Sequence, residues 1–588
     1  MADTKPKELV QAENLIEEGK TEEALELVRK FQQTAWTYLN RRKSDEALKI
    51  ALQSKQLIEK IGKENDIANN FLLLGWISSQ KGDIKSSLNF GLKSIDLFEK
   101  LNIQAGSSSS LFLVGSTHMN NFDFGQSIYY CKRALSIKEV SPTDRLGLLS
   151  VLGNIYTIKG DLAKALKICE EGLKIATEGN FNYIIPSFMW YLGNIHIFLG
   201  DIEKGEDYLK RNLDLLYQYP DKYSNGFTLM GLILLFILEK NSPEQARDYL
   251  KQLEKLKSQN KGRFFEKFLS NCYSISKGII LKASGRTRDR AEAEALLREV
   301  VESEISTVPD FALKFYAMNY LCDLYIEELS SSNDSTIIDD INPLISNIFE
   351  HAEKLQSNLL MIGVKLLQAK MELIQMNFRE SKIIMTKALK LAELNDNQYY
   401  AQLISHEHDR LLEQQDLWDK IEMTDAPFSE RIKLASFDGA LDRIRGKRHE
   451  ESIEVIDEQP VLLLLIAEGG VLIFSYPFAD EWQHDTEIFG SFLSAFTSFS
   501  DEFFSKGLDR VKFGDDTLLM QSVNSFSVGY LYKGQTYPAK QKLAKFSEEI
   551  KTNASLWQTL DKFYKTSQVA ELKDVPEIEN LIKGIFLH

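Results

Sequence analysis

Apolar and small residues return along the first half of the chain with two nested periods. Inside a segment they recur every three to four positions, the spacing of one face of an α-helix. Between segments a whole pattern comes back: LGWISSQKGDIKSSL, LGNIYTIKGDLAKAL and LGNIHIFLGDIEKGE begin at Leu74, Leu152 and Leu192 and share small residues, apolar residues and a Gly-Asp pair at matching places. VGSTHMNNFDFGQSI, from Val114, agrees too, with Phe122-Asp123 where the others carry Gly-Asp. A small residue falls at Ala35, Gly75, Gly115, Gly153, Gly193 and Gly231, in steps of 40, 40, 38, 40 and 38. The pattern predicts a stack of helical hairpins. The small residue lets the partner helix approach, Gly82, Gly160 and Gly200 supply the turn that ends the first helix, and Asp83, Asp161 and Asp201 cap the second. A second small residue, at Ala47, Ser87, Ser127, Ala165 or Gly205, sits at the crossing in the second helix.

These residues and their spacing resemble the tetratricopeptide repeat family in its lengthened form of about 40 residues. The resemblance is strong from Asp45 to Gln259, persists in SKGIILKASGRTRDRAEAEALL around Gly278 and recovers in KLLQAKMELIQMNFRESKIIMTKALKLAEL around Ala369, so residues 1–417 read as one array. SSSNDSTIIDDINP, from Ser330 to Pro343, reads as a long loop between helices. The resemblance implies a mainly α fold, a right-handed α-solenoid superhelix whose first helices line a concave groove. It also implies which side chains face that groove: Trp76, Phe112, Met119, Asn154, Trp190, Asn194 and Phe198. The asparagines would grip a bound peptide's backbone, since a carboxamide donates and accepts at once, and the aromatics would anchor apolar side chains. Trp76 and Phe112 fit equally well as filling between adjacent hairpins. No regular set of Lys and Arg accompanies these positions, which favours a helical or extended apolar peptide over an acidic tail.

The helical period stops after a helical linker, residues 418–455, that contains Pro427 and most of the charged run RIRGKRHEESIEVIDEQ. Residues 456–588 then read as a small α/β domain: PVLLLLIA, Glu468-Gly469-Gly470 and VLIFSYPF as a hairpin, DTEIFGSFLSAFTSFSDEFF as a helix, three short strands broken near Gly514-Asp515 and Asn524-Ser525, and helices from Pro538 onward. The EGGVLIFSY hairpin, the phenylalanine-rich helix and VGYLYKG leading into QTYPAKQKLAKF resemble the longin and roadblock group, with five antiparallel strands and helices on one side, over about Pro460 to Thr566. That resemblance implies docking to a small GTPase or a similar domain through the long helix and its neighbouring strand. Phe489, Phe496 and Phe503 serve there either as surface or as core. A profilin-like or PAS-like domain is the rival reading.

Composition narrows the function. A net charge of −15 at neutral pH leaves no electrostatic footprint for nucleic acid. The four cysteines, Cys131, Cys169, Cys272 and Cys322, are scattered and suggest neither a zinc site nor a disulfide framework. Neither a signal-peptide core in MADTKPKELVQAENLIEEGK nor a membrane-length apolar run is present, Gly226 to Leu238 being too short, which points to a cytoplasmic protein without a transmembrane segment. Walker, GxGxxG, HExxH and GxSxG motifs are missing, and in His406-Glu407-His408-Asp409 the neighbouring histidines face different sides of a helix. The expectation is a non-enzymatic scaffold or adaptor with protein partners, no cofactor and no metal. The alternative is a sensory regulator whose C-terminal domain binds a small ligand through polar groups such as Ser491, Ser494 and Gln521.

Overall fold

The computed structural model describes residues 7–218, 222–238, 240–262, 265–304, 308–395, 397–435, 458–467, 472–478, 510–513, 516–523, 526–566 and 568–587. Among them are 25 α-helices and five strands. After α1 (Lys7–Glu17) come seven hairpins: α2 (Thr21–Asn40) with α3 (Ser44–Ile61), α4 (Glu64–Gln80) with α5 (Ile84–Lys100), and α6 (Gln104–Asn120) with α7 (Phe124–Leu135). They continue as α8 (Pro142–Lys159) with α9 (Leu162–Glu178), α10 (Ile185–Phe198) with α11 (Ile202–Gln218), α12 (Lys222–Leu238) with α13 (Pro243–Gln259), and α14 (Glu266–Ala283) with α15 (Thr287–Glu302). No described helix is long and apolar enough to cross a membrane.

The small residues sit where the sequence puts them, at the crossing of each pair. A Cβ on Gly205 would lie 2.9 Å from the Gly193 carbonyl oxygen, and one on Gly153 would lie 2.6 Å from Cys169 Sγ. At Gly115 the carbonyl accepts a 2.7 Å hydrogen bond from Ser127, twelve residues on in the second helix. The same bond, Ser381 to the Ala369 carbonyl at 2.9 Å, recurs between α18 (Asn358–Ile374) and α19 (Phe378–Leu394). Cys131 and Cys169 occupy two of these crossings, and burial pushes both thiols up to about 12, so they pack and do not react.

The turns are also as read. Gly82, Gly160 and Gly200 have φ of 77°, 80° and 82°, and Asp83 and Asp201 accept from backbone N–H groups of the next helix at 3.0 and 3.2 Å. Asp161 is the exception: it makes no capping bond and pairs with Lys164 at 2.6 Å.

Successive first helices, α4, α6, α8, α10, α12 and α14, pack on one another, whereas successive second helices make no comparable contact. The first helices therefore converge on an inner side. Leu72, Leu73, Leu74, Ile77 and Ala68 bury α4 on most of its faces, while α5 buries chiefly the stripe Ser87, Gly91, Ser94, Ile95 and Phe98.

Met1–Leu324 and Glu350–Ser357 form one compact unit, Tyr325–Phe349 and Asn358–His588 another. The short piece 350–357 belongs to the first because it meets the turns of earlier hairpins. Lys354 lies 4.8 Å above the Phe122 ring, Phe122 touches Phe311 at 5.0 Å, and Ser357 donates to the Ile158 carbonyl. Phe122 holds φ 61° where three sister repeats use glycine. A bulky residue strained in the left-handed region is retained because its ring packs across these turns.

The loop expected from Ser330 to Pro343 is instead mostly helix. α16 (Val308–Ser332) runs into a 3-10 turn at Ser335–Ile337 and then α17 (Ile338–Lys354), which contains Pro343. The polar run marks helix ends: Asn333 takes φ 57°, and the Asp334 carboxylate accepts the Thr336 N–H at 3.0 Å.

The second unit adds α20 (Gln398–Glu413), α21 (Gln415–Thr424) and α22 (Phe428–Leu434) to the α18/α19 hairpin, then an antiparallel sheet in the order β2-β1-β5-β4-β3. The strands are β1 (Gln459–Ala467), β2 (Leu472–Pro477), β3 (Arg510–Phe513), β4 (Asp516–Val523) and β5 (Phe526–Lys533). They are followed by α23 (Thr536–Thr552), α24 (Ala554–Thr566) and α25 (Pro576–Phe586). β1 is an unbroken apolar run because both its faces are buried. Leu463 and Leu465 face a core shared with Leu543, Phe546, Leu560 and Ile582, and Leu462, Leu464 and Ile466 join Leu518 and Leu531 on the other side. On the β2 edge the Ala570 N–H donates to the Ile473 carbonyl at 2.7 Å. The turn expected at Glu468-Gly469-Gly470 and the helix expected to carry Phe489, Phe496 and Phe503 fall outside the described residues.

A buried ion pair fastens this sheet to α20. The Arg510 guanidinium, wholly buried, donates to Asp409 at 2.7 Å and to Ser405 Oγ at 3.1 Å. The same carboxylate accepts the Thr536 N–H at 3.0 Å and the Thr536 hydroxyl at 2.5 Å, seating the first turn of α23. On the far side of β5 the buried Glu458 carboxylate takes the Tyr530 hydroxyl and pairs with Lys542 at 2.7 Å. Burial, then the Glu458 hydrogen bond, raises the Tyr530 phenol far above its usual range.

Two outcomes follow for stability. Gly205→Ala, whose Cβ meets backbone, costs about 1–3 kcal/mol in denaturant unfolding, whereas Gly231→Ala, whose Cβ finds ordinary contact at 3.5 Å, is neutral or gains up to ~1 kcal/mol of helix propensity. Arg510→Met takes the buried cation from Asp409 and costs roughly 3–5 kcal/mol in denaturant unfolding, and adding Asp409→Leu, which also removes the acceptor of the Thr536 N–H and hydroxyl, does not restore it.

Candidate functional site

The groove positions lie on the first helices, and each is half-buried. Trp76 on α4 and Phe112 on α6 meet edge to face with centroids 5.2 Å apart, and the Phe112 ring continues onto α8, covering Gly147. Trp190 on α10 stacks on Phe227 of α12 at 5.0 Å, and Phe227 meets Phe268 of α14 at the same distance. These are two aromatic ladders, each bridging three successive first helices. Contacts between hairpins thus occupy part of the Trp76, Phe112 and Trp190 rings and leave the remainder open, whereas Phe227 and Phe268 are buried.

The two asparagines hold different bonds. Asn194 donates its amide to the Trp190 carbonyl one turn back at 2.7 Å. Asn154 on α8 reaches Met119 Sδ of α6 at 3.9 Å, and a thioether is a poor acceptor. Met119 and Asn154 are therefore brought together, as are Trp76 with Phe112. Phe198 lies on the last turn of α10, half-buried.

Sequence reading passed over a second repeated device. His118 stacks on Tyr130 at 5.4 Å with its Nδ1 3.3 Å from Asp123, and His196 stacks on Tyr208 at 5.6 Å with its Nδ1 3.5 Å from Asp201. In both, the histidine is three residues past the small residue of the first helix, and the aspartate and tyrosine belong to the hairpin's other arm. The identical spacing of His, Asp and Tyr in the two repeats was the available signal. Burial, helped by Lys204 and opposed by Asp201 and Glu170, holds the His196 imidazole below its ordinary value. Its Nε2 is buried without a partner among the described residues.

In the second unit, Gln521 on β4 lines a cavity of about 460 Å³ together with residues of α19, α20 and α23. Ser491 and Ser494 lie outside the described residues. The SHEHD segment of α20 is committed to packing: Asp409 serves Arg510, and Glu407 pairs with Arg410 at 2.9 Å. Among the described residues no group of three or more His, Cys, Asp or Glu is arranged to hold a metal ion.

No family model matches the chain, and no curated protein does. Among solved structures it is similar to the apo form of RapI, at 12% identity over 46% of this chain and 99% of that one, with a TM-score of 0.35. It is similar also to a Rap protein complexed with competence and sporulation factor, at 11% identity over 71% and 99% of the two chains, with a TM-score of 0.36. A circular tandem repeat protein gives 11% identity over 74% and 95%, with a TM-score of 0.14.

The His196 environment sets a pH dependence. The folded state holds this proton less tightly than the unfolded chain, so stability falls as pH drops through the ordinary value of 6.5 toward the lowered one. Thermal melts from about pH 7.5 down to about pH 5.5 should show the loss, and His196→Phe, which keeps a ring against Tyr208 but takes no proton, should flatten it.

Proposed function

We propose that the protein is a non-enzymatic adaptor whose repeat array binds a peptide or helix along the inner side of its first helices. The observation that carries this reading is Asn154. Its carboxamide sits half-buried on that side with a weak thioether acceptor at 3.9 Å, so a peptide carbonyl offers it a better bond than it now has. Asn194 occupies the same repeat position one unit on, 40 residues later, as the second amide offered to the bound segment. The open parts of Trp76, Phe112 and Trp190, with Met119 and Phe198, supply apolar surface between them.

On this reading the array extends over residues 1–417, the linker over 418–455, and the α/β domain from 456 onward docks a small GTPase or a similar domain, in the manner of the longin and roadblock group that it resembles. Support for the docking half comes from the antiparallel five-stranded sheet with its helical layer. The setting is cytoplasmic.

Panning a displayed peptide library on the full chain should enrich apolar segments. Asn154→Ala combined with Asn194→Ala should weaken the best of them about tenfold or more, with helicity by circular dichroism unchanged. Enriched peptides indifferent to the double substitution would remove the groove from the proposal. A panel of GTP-loaded small GTPases tested on the same chain decides the docking half.

A further inference from the structure

Each hairpin turn has one position in left-handed backbone, and two turns fill it with a side chain that reaches far along the chain. Gly82, Gly160 and Gly200 hold φ of 77°, 80° and 82° there, whereas Arg42 and Phe122, at the matching places, hold 60° and 61°. Neither residue type takes that conformation freely. Both put their side chain on a ring of a later hairpin. The Arg42 guanidinium lies 5.9 Å over Phe265, just before α14, and Phe122 meets Phe311, in the first turn of α16, at 5.0 Å. Lys354 lies over the Phe122 and Phe311 rings at 4.8 and 5.8 Å. At the Gly160 turn, Lys159 donates to the Gln356 carboxamide at 3.2 Å and Ser357 donates to the Ile158 carbonyl, across 197 and 199 residues of chain. All of these residues belong to the first unit.

The contacts keep an order. The turns of the first, third and fourth hairpins meet, in that sequence, residues just before α14, at the start of α16 and just after α17. First helices begin on one edge of the ribbon of hairpins and end at the turns on its other edge. The turn edge of early hairpins therefore lies against the starting edge of later ones. In a ribbon that curls with its first helices inside, edges that meet in register shut the slot between one superhelical turn and the next. Entry to the inner side then runs lengthwise. From this seam we infer that the groove takes a chain with a free end, a linear peptide or a protein tail, and not an internal segment held at both ends by folded structure. The inference rests on the groove reading above and narrows its partner. Arg42, Phe122, Lys159 and Lys354 are exposed or half-buried, so substitution there opens the seam without emptying a core.

The test pans one random peptide library on the full chain in two formats. In the first the segments are joined to the display protein by one end, and in the second they are inserted in a surface loop of a folded display protein. The free-ended format should enrich segments whose binding drops about tenfold or more in Asn154→Ala with Asn194→Ala, and the looped format should enrich none with that dependence. Two variants open the seam while giving a turn the glycine of its sisters: Phe122→Gly with Lys354→Ala, and Arg42→Gly with Lys159→Ala. In at least one of them helicity should be unchanged and looped segments should bind with the asparagine dependence. If looped segments reach the groove of the unaltered chain, the inference is wrong and the groove reading stands. If they fail to reach it in both opened variants while free-ended segments still bind, the seam is not what excludes them and the inference is wrong again. If neither format yields an asparagine-dependent segment, the groove reading itself falls and the inference falls with it.

Discussion

Two helices can cross closely only where the facing side chains are small or absent, and much else in the repeat array follows from that constraint. At the Gly193–Gly205 crossing even a single methyl group would press on a backbone oxygen. Close crossing inside each hairpin lets adjacent hairpins converge through their first helices, which are then buried on most faces. What remains open on the inner side is the narrow row of positions beside the small residue. Trp76, Asn154 and Asn194 each follow that residue directly, so the positions that hold the array together and the positions proposed to hold a partner are neighbours in sequence.

That coupling explains how much could be read beforehand. The hairpins were legible because a crossing demands a small residue at one place and tolerates little else, which leaves a period visible over two hundred residues. Phe122 was visible as a departure from the Gly-Asp pattern, but its reason was not, since its partners Phe311 and Lys354 lie far along the chain. The run from Ser330 to Pro343 was misread for a physical cause. Serine, asparagine and aspartate serve helix ends as readily as loops, and here they end one helix and start the next within a few residues. The sheet was legible from its turn residues and apolar runs, and β1 lacked alternation because it has no solvent face.

The groove residues were legible only as positions. Sequence placed Trp76 and Phe112 on the inner side and left open whether they pack or bind. Their 5.2 Å contact, with the Phe112 ring resting over Gly147, shows that they pack while staying partly exposed. The difference between Asn154 and Asn194 could not have been read at all. Both occupy one repeat position, yet one finds a main-chain carbonyl on its own helix and the other a thioether on the preceding hairpin. A repeat fixes where a side chain starts and leaves its hydrogen-bond partner to the neighbours.

Helix α20 shows where the change in composition and the packing part company. The helical period stops well before the first strand, but α20 does not stop belonging to helices when the sheet begins. It packs on α19 as a repeat helix and offers Ser405 and Asp409 to β3 and α23. An arginine with no exposed side-chain surface needs a partner in place where it is buried, and that partner lies 101 residues earlier. The sheet therefore has in α20 an obligatory support, not a tethered neighbour. Helix α20 is thus at once a partner of the last repeat hairpin and the seat of the sheet, and the cavity that Gln521 lines opens between the same elements.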